Sequence, residues 1–172
     1  MLNNFIMKKL IILGAGGYGH TVADVAQQIG YDVYFLDDND MNATGKCSDY
    51  INYRECEIYP AFGNNEGRMG WINKLLDENY KVPTIIHPSA YISPKAKIGV
   101  GTVVLPKAII NTDTIVGKGC IINIGAIIDH GCILEDAVHI APGAIVKGEN
   151  KIELFKKVDS GEVIALRDFP VK

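Results

Sequence analysis

The chain has no excess of basic residues: 17 Lys and Arg stand against 20 Asp and Glu over 172 residues, for a formal net charge of −3. Such a mildly acidic balance leaves no electrostatic footprint for DNA or RNA, so nucleic acid is not an expected partner. Long apolar runs are also missing. Lys8-Lys9 before Leu10-Ile11-Ile12-Leu13 has the outline of a signal peptide, yet the apolar stretch stops at Gly14 after four residues. That is too short for export or for a membrane span, and the expected location is the cytoplasm. Nor do the four cysteines supply a CxxC pair; Cys47 and Cys56 are too far apart for one, and packing thiols are expected rather than metal ligands.

What the second half of the chain does have is a period of six. Ile92, Ile98, Val104, Ile110, Val116, Ile122, Ile128, Leu134, Ile140, Val146 and Ile152 form an unbroken aliphatic track. A second, mostly small track lies four residues behind each of them: Ala96, Thr102, Ala108, Thr114, Cys120, Ala126, Cys132, Val138 and Ala144, with Asn150 as the exception. A six-residue period matches neither a helix of 3.6 nor a hairpin array. It fits a parallel β-helix that turns one corner per hexapeptide, three hexads closing a triangular coil whose stripe is buried only against its neighbours. Glycine recurs at Gly101, Gly119, Gly125, Gly131 and Gly143, where a turning backbone benefits from tolerance of positive φ. Cys120 and Cys132 fall on the interior small track.

The first eighty residues follow another pattern. Lys9 to Leu13 reads as a buried parallel strand, Gly14-Ala15-Gly16-Gly17-Tyr18-Gly19 supplies GxGxxG, and Val22, Val25, Ala26 and Ile29 mark a helix ended by Gly30. A second strand, Val33 to Leu36, ends in Asp37-Asp38. This βαβ start lets a phosphate approach a helix N-terminus at Gly14, Gly16 and Gly17, with an acidic pair where ribose hydroxyls are often held. A third strand from Glu57 runs to Phe62 and into Gly63-Asn64-Asn65-Glu66, where Asn64 or Asn65 can cap a helix carrying Met69, Ile72, Leu75 and Leu76. With a fourth short strand near Thr84 to Ile86, the region holds only half of a dinucleotide fold. A single nucleotide is therefore the natural cargo, and the missing second half argues against a nicotinamide oxidoreductase.

The hexads resemble the left-handed β-helix acyltransferases. Joined to a half-Rossmann domain, the chain resembles the bacterial sugar acetyltransferases that N-acetylate nucleotide-linked 4-amino sugars or O-acetylate sialic acid. The likeness rests on GAGGYGH at 14–20, LDD at 36–38, FGNNE at 62–66, HPSAYISP at 87–94 and IIDHGCILEDAVHIAPGA at 127–144. FGNNE leans toward the nucleotide-amino-sugar branch. The resemblance implies an α/β nucleotide-sugar domain over 1–86 and a left-handed parallel β-helix over 87–152; relatives continue for roughly two more coils, whereas here 151–172 loses the six-residue beat, and Phe155, Val158, Val163, Ile164, Leu166 and Phe169 are expected to form an irregular cap over 153–172 instead. The implied activity is acetyl transfer from acetyl-CoA to a UDP-4-amino-sugar in surface glycan biosynthesis, by a homotrimer that needs no metal.

In that reading Gly14, Gly16, Gly17, Asp37, Asp38, Gly63, Asn64 and Asn65 hold the nucleotide-sugar. His130 matches the family's catalytic histidine. It falls off both interior tracks, so its ring is expected to face outward, and a neutral imidazole suits an amine attack on a thioester near neutral pH. Gly148, one 18-residue coil on, is placed to offer its N–H to the oxyanion, and His139 matches a histidine that contacts the acyl donor. Many relatives carry an acid directly after the catalytic histidine; this chain has Gly131. An inactive sugar-nucleotide-binding relative and a sialic-acid O-acetyltransferase are the alternatives. A metal-dependent hydratase of the γ-carbonic-anhydrase type would need two histidines five apart, whereas His130 and His139 are nine apart.

Overall fold

The computed structural model describes residues 8–166. Its first part comprises β1 (Lys8–Leu13), α1 (Gly17–Gln28), β2 (Tyr31–Leu36), β3 (Glu57–Pro60) and α2 (Asn65–Asp77). The three strands run parallel in the order β2-β1-β3. Leu10 to Leu13 of the central strand are fully buried, as expected of a parallel strand covered on both faces. Val22, Val25 and Ala26 of α1 cover one face. Ile72 and Leu75 of α2 cover the other, against Ile11, Leu13 and Ile58.

The fourth strand expected for this sheet lies elsewhere. Ile85–Ile86 pairs with Val103–Val104 and is the first strand of the prism. From there to Ile164 every strand is two residues long. One face stacks Ile85–Ile86, Val103–Val104, Ile121–Ile122, His139–Ile140 and Lys157–Val158; a second stacks Tyr91–Ile92, Ile109–Ile110, Ile127–Ile128, Ile145–Val146 and Val163–Ile164. The third face stacks Lys97–Ile98, Ile115–Val116, Ile133–Leu134 and Lys151–Ile152. All pairings are parallel with an 18-residue offset, such as Ile121 with Val103 and with His139. The second residue of each strand and the small track four residues on fill the interior: Val104, Ile110, Val116, Cys120, Ile122, Ala126, Ile128, Cys132 and Leu134 form one buried cluster with their neighbours.

The irregular cap expected from residue 153 is corrected over the described residues. Lys157–Val158 and Val163–Ile164 continue the stack, with Val158 and Ile164 on the aliphatic track and Val163 and Leu166 exposed. Phe169 lies outside the described residues. The signal is weak because the small track turns polar at Asn150, Lys156 and Glu162, while the aliphatic track runs on. Asn150 is nonetheless buried; its Nδ2 donates to the Lys147 and Ala165 carbonyls at 2.8 and 2.9 Å. The corners explain why glycine is an incomplete marker. Residues 101, 107, 113, 119, 125, 131, 137, 143, 149, 155 and 161 all adopt positive φ, between 56° and 72°, although Lys107, Asp113, Ala137, Glu149 and Phe155 among them are not glycine. Stacking imposes the left-handed conformation, and a non-glycine residue there costs about 1–2 kcal/mol.

The two parts share a core. Ile85, Val103 and Ile121 point outward from the first prism face into a cluster with Leu10, Ile12, Val22 and Tyr59. The α2 helix lies along the corner between the third and first faces, where a Cβ on Gly119 would meet Ile72 Cδ1 at 2.7 Å. Arg68 fastens this contact. It is fully buried, its Nε donating to the Gly119 carbonyl at 2.8 Å and its Nη2 to the Ala137 carbonyl at 3.2 Å. Asn65 Oδ1 accepts from Nη2 at 2.8 Å, and Asn65 Nδ2 donates to the Phe155 carbonyl at 2.8 Å. Gly119, Ala137 and Phe155 are the same corner on three successive coils, so one arginine and one asparagine grip a ladder of carbonyls. Carbonyl dipoles rather than a carboxylate compensate the buried cation.

Candidate functional site

The carboxyl ends of β1, β2 and β3 converge on one edge, where ligands of open parallel sheets bind. Gly14 has φ +102° and donates its N–H to the Leu36 carbonyl at 2.9 Å, which ties the glycine turn to the end of β2. A Cβ on Gly19 would lie 2.0 Å from the Gly14 carbonyl oxygen, so α1 packs on the turn only with glycine there. Gly16 is the N-cap of α1 and offers no side-chain cap, which leaves the first-turn amides for a ligand. Ala15, Gly16, Asp37, Asn39 and Asp40 line an open pocket of about 480 Å³ in front of these amides.

Asp37 and Asp38 both serve the local backbone. Asp37 accepts from the Ala15 amide at 2.7 Å and from the Asn39 and Asp40 amides at 2.8 and 3.1 Å, and these bonds, Ala15 first, hold its carboxyl below the usual carboxylate range. Asp38 accepts from the Cys47 amide at 3.0 Å. Asn64 caps α2 by accepting from the Gly67 amide at 2.7 Å, and Asn65 is committed to Arg68 and Phe155. A Cβ on Gly63 would meet nothing within 4 Å, so Gly63 borders open space on this edge.

His130 occupies the corner between the second and third prism faces and is exposed. Asp129 beside it does not hold the ring. Its Oδ1 accepts from the His130 backbone amide at 2.7 Å and from Asn111 Nδ2 at 3.1 Å, and the His130 amide leads the effects that lower its carboxyl pKa. The Gly148 amide contributes least to the same lowering. The imidazole lies against Gly148: a Cβ there would be 2.8 Å from Nε2 and 2.9 Å from Cε1. Gly131 turns the corner at φ +64°, and a Cβ on it would lie 3.4 Å from Cγ of Glu149, one coil on.

His139 projects from the first face toward the α/β part and is half-buried. Burial first, and then the Arg68 and Lys157 cations, push its pKa from the usual 6.5 to about 4, with Asp159 opposing them. The ring is therefore neutral near pH 7. Asn123, which the sequence reading passed over, meets it, with Nδ2 3.1 Å from His139 Nε2. The signal for it is a polar residue directly after an aliphatic-track position, shared by Asn111 and Asp129. Arg68 was also missed; a charged residue beside Met69 within an apolar helix stripe is its only sequence mark.

These groups fall on two sides of the prism. The corner that carries His130 lies opposite the first face, which carries His139 and packs against the nucleotide-type half. Within one chain, His130 and His139 are therefore not brought together, and neither are His130 and the glycine turn. Among the described residues there is no cluster of His, Cys, Asp or Glu suited to a metal ion, and no helix is long and apolar enough to cross a membrane.

Residues 9–75 match the PglD N-terminal domain family. The acetyltransferase domain of PglB from Neisseria gonorrhoeae FA1090, a structure also determined in complex with acetyl coenzyme A, is 34% identical; the match covers 91% of this chain and 82% of that one. The TM-score is 0.86 without the ligand and 0.85 with it. A GDP-perosamine N-acetyltransferase from Caulobacter crescentus, in complex with CoA and GDP-perosamine, is 25% identical over 94% of this chain and 90% of that one, with a TM-score of 0.84. WeeI from Acinetobacter baumannii AYE shares the fold, at 18% identity and a TM-score of 0.66 over 91% of this chain and 88% of that one. The stacked parallel strands match the left-handed β-helix of these neighbours.

Proposed function

Because the chain belongs to the bacterial sugar acetyltransferases built on hexapeptide repeats, we propose that it transfers the acetyl group of acetyl-CoA to the amine of a nucleotide-linked sugar, a UDP-4-amino-sugar in surface glycan synthesis. The neighbour that binds CoA and GDP-perosamine supports an amino-sugar nucleotide as the class of acceptor, and FGNNE at 62–66 supports the nucleotide-amino-sugar branch. Gly14, Gly16 and Gly17 present the α1 amides to the diphosphate. Asp37 and Asp38 shape the ribose edge, each carboxylate having lone pairs beyond those its backbone bonds use. Gly63, Asn64 and Asn65 border the same edge and hold α2 in place.

In the reaction the amine lone pair attacks the thioester carbonyl carbon. His130 takes the amine proton, the Gly148 amide donates to the developing oxyanion, and collapse of the tetrahedral adduct expels the CoA thiolate, which receives the proton from His130. His139, neutral at working pH, contacts the acyl donor.

The observation that carries this reading is the opposition of His130 to the nucleotide half across the prism. A sugar held at the glycine turn of one chain reaches a His130 only on a neighbouring chain, so the site is composite and the assembly a homotrimer with three shared sites. The second prism face supports the assembly. It presents Tyr91, Ile109, Ile127, Ile145 and Val163 outward in one stack, with Tyr91 55% and Val163 50% exposed. An apolar stripe of this kind marks an association surface.

Thiol release from acetyl-CoA, measured against a panel of UDP- and GDP-linked amino sugars and sialic acid, tests the proposal. Turnover with a UDP-4-amino-sugar is expected. Turnover with sialic acid alone would move the chain to the O-acetyltransferase branch, and none with any acceptor would leave a binding protein.

A further inference from the structure

The hydrogen bonds of Asn123 settle a question that coordinates of heavy atoms ordinarily leave open, namely which ring nitrogen of His139 carries its proton. Asn123 Oδ1 accepts the Ile124 backbone amide at 2.8 Å. An amide N–H can only donate, so this bond fixes the side-chain orientation: the oxygen faces Ile124 and the NH₂ faces the imidazole. Asn123 Nδ2, which only donates, stands 3.1 Å from His139 Nε2. Nε2 must therefore be the acceptor, and the single proton of the neutral ring sits on Nδ1. Among the described residues no buried side-chain nitrogen or oxygen lacks a hydrogen-bond partner. Nδ1 makes no hydrogen bond among the described residues, so it is not fully buried and its N–H is left to donate.

We propose that Asn123 is a positioning residue that fixes His139 as the Nδ1–H tautomer, so that the ring presents a neutral N–H donor to the carbonyl oxygen of the acyl donor. The donor role rests on the acetyl-transfer reading above, whereas the tautomer does not. An N–H aimed at that oxygen strengthens as negative charge develops on it and weakens none of the nucleophiles, because the ring brings no titrating proton to the site near neutral pH. The surroundings keep it neutral: Arg68 of α2 and Lys157 on the next coil both face the ring, with Asp159 the opposing charge. Asn123 itself sits at the position after the aliphatic Ile122, at the end of a strand of the first face, where the stack holds its backbone.

Imidazole ¹⁵N spectra of histidine-labelled protein at pH 7 test this directly, with the resonance of His139 assigned by its loss in His139→Gln. The expected spectrum shows a protonated Nδ1 and an unprotonated Nε2. A protonated Nε2 in the wild type would overturn the proposal without recourse to any variant. In Asn123→Ala the Nε2–H tautomer should appear, and kcat/KM for acetyl-CoA should fall about tenfold while KM for the nucleotide-sugar stays unchanged. An unaltered tautomer in that variant would overturn the role of Asn123. An altered tautomer with unchanged acetyl-CoA kinetics would overturn the donor role. Should the wild type turn over no acceptor at all, the acetyl-transfer reading falls while the spectra still decide the tautomer.

Discussion

Gly148 sits so close to the ring of His130, one coil earlier, that a Cβ at position 148 would stand 2.8 Å from Nε2. Glycine here is a matter of space rather than of φ: Gly148 is absent from the positive-φ corners, and the residue after it, Glu149, takes that conformation instead. The imidazole thus rests on bare backbone, close to the amide proposed to meet the oxyanion.

Gly148→Ala should displace the ring and lower kcat roughly 10- to 100-fold, the scale on which a misplacement of about 1 Å acts. Its melting temperature should stay near that of the wild type, because the ring is exposed and can swing away. Steady-state kinetics beside thermal unfolding separates the two effects, and unchanged kcat would remove His130 from its resting place on Gly148.

His130→Ala should cost about two to four powers of ten in kcat, the usual size of general-base assistance, with little change in KM for either substrate. Retention of wild-type turnover would exclude His130 as the base.

Arg68→Met keeps much of the side-chain volume but strips hydrogen bonds from the Gly119, Ala137 and Phe62 carbonyls. Each buried group left unpaired costs about 1–3 kcal/mol, so a loss of roughly 3 kcal/mol or more is expected in denaturant unfolding. The same variant should loosen the α/β part from the prism, which amide exchange along α2 would report.

The folded pKa of His139 lies near 4, below the usual 6.5, so between those values the unfolded chain binds the extra proton. Stability contributed by the neutral ring is then complete above about pH 6.5 and declines as pH falls toward 4. The Asp37, Asp129 and Glu135 carboxyls, held low in the fold, add to the decline at the acid end. Melting temperatures from pH 7 to pH 4 should fall less steeply for His139→Gln than for the wild type.

Much of this architecture was legible because it is periodic. The aliphatic track from Ile92 to Ile152 specified the prism, and GxGxxG between an apolar strand and a helix located the turn at Gly14. The end of the prism is less legible, because polar Asn150, Lys156 and Glu162 break the small track although Val158 and Ile164 keep the aliphatic one. The sheet to which Ile85–Ile86 belongs is not legible, because two residues carry too little pattern to show which partner they pair with. That Gly148 stacks on His130 follows from the 18-residue coil, but nothing comparable marks Arg68 and Asn123. Their roles depend on which carbonyl or ring lies opposite them, and that is set by coils 16 to 69 residues away. Asn64 and Asn65, chosen as ligand-binding residues, have their side chains engaged in capping α2 and in holding Arg68.

The central claim is that the nucleotide half of one chain serves the His130 of its neighbour. Co-expression of His130→Ala with Gly16→Val tests it most directly. Gly16 has nothing within 4 Å of an added Cβ, so the substituted chain should fold while obstructing the diphosphate. Each variant alone should be inactive. In randomly mixed trimers, about a quarter of the sites would pair an intact nucleotide half with an intact His130 from the adjoining chain, and roughly that fraction of wild-type turnover should return. If the mixed assemblies stay as inactive as either parent, the base and the nucleotide site belong to one chain, and the account is wrong.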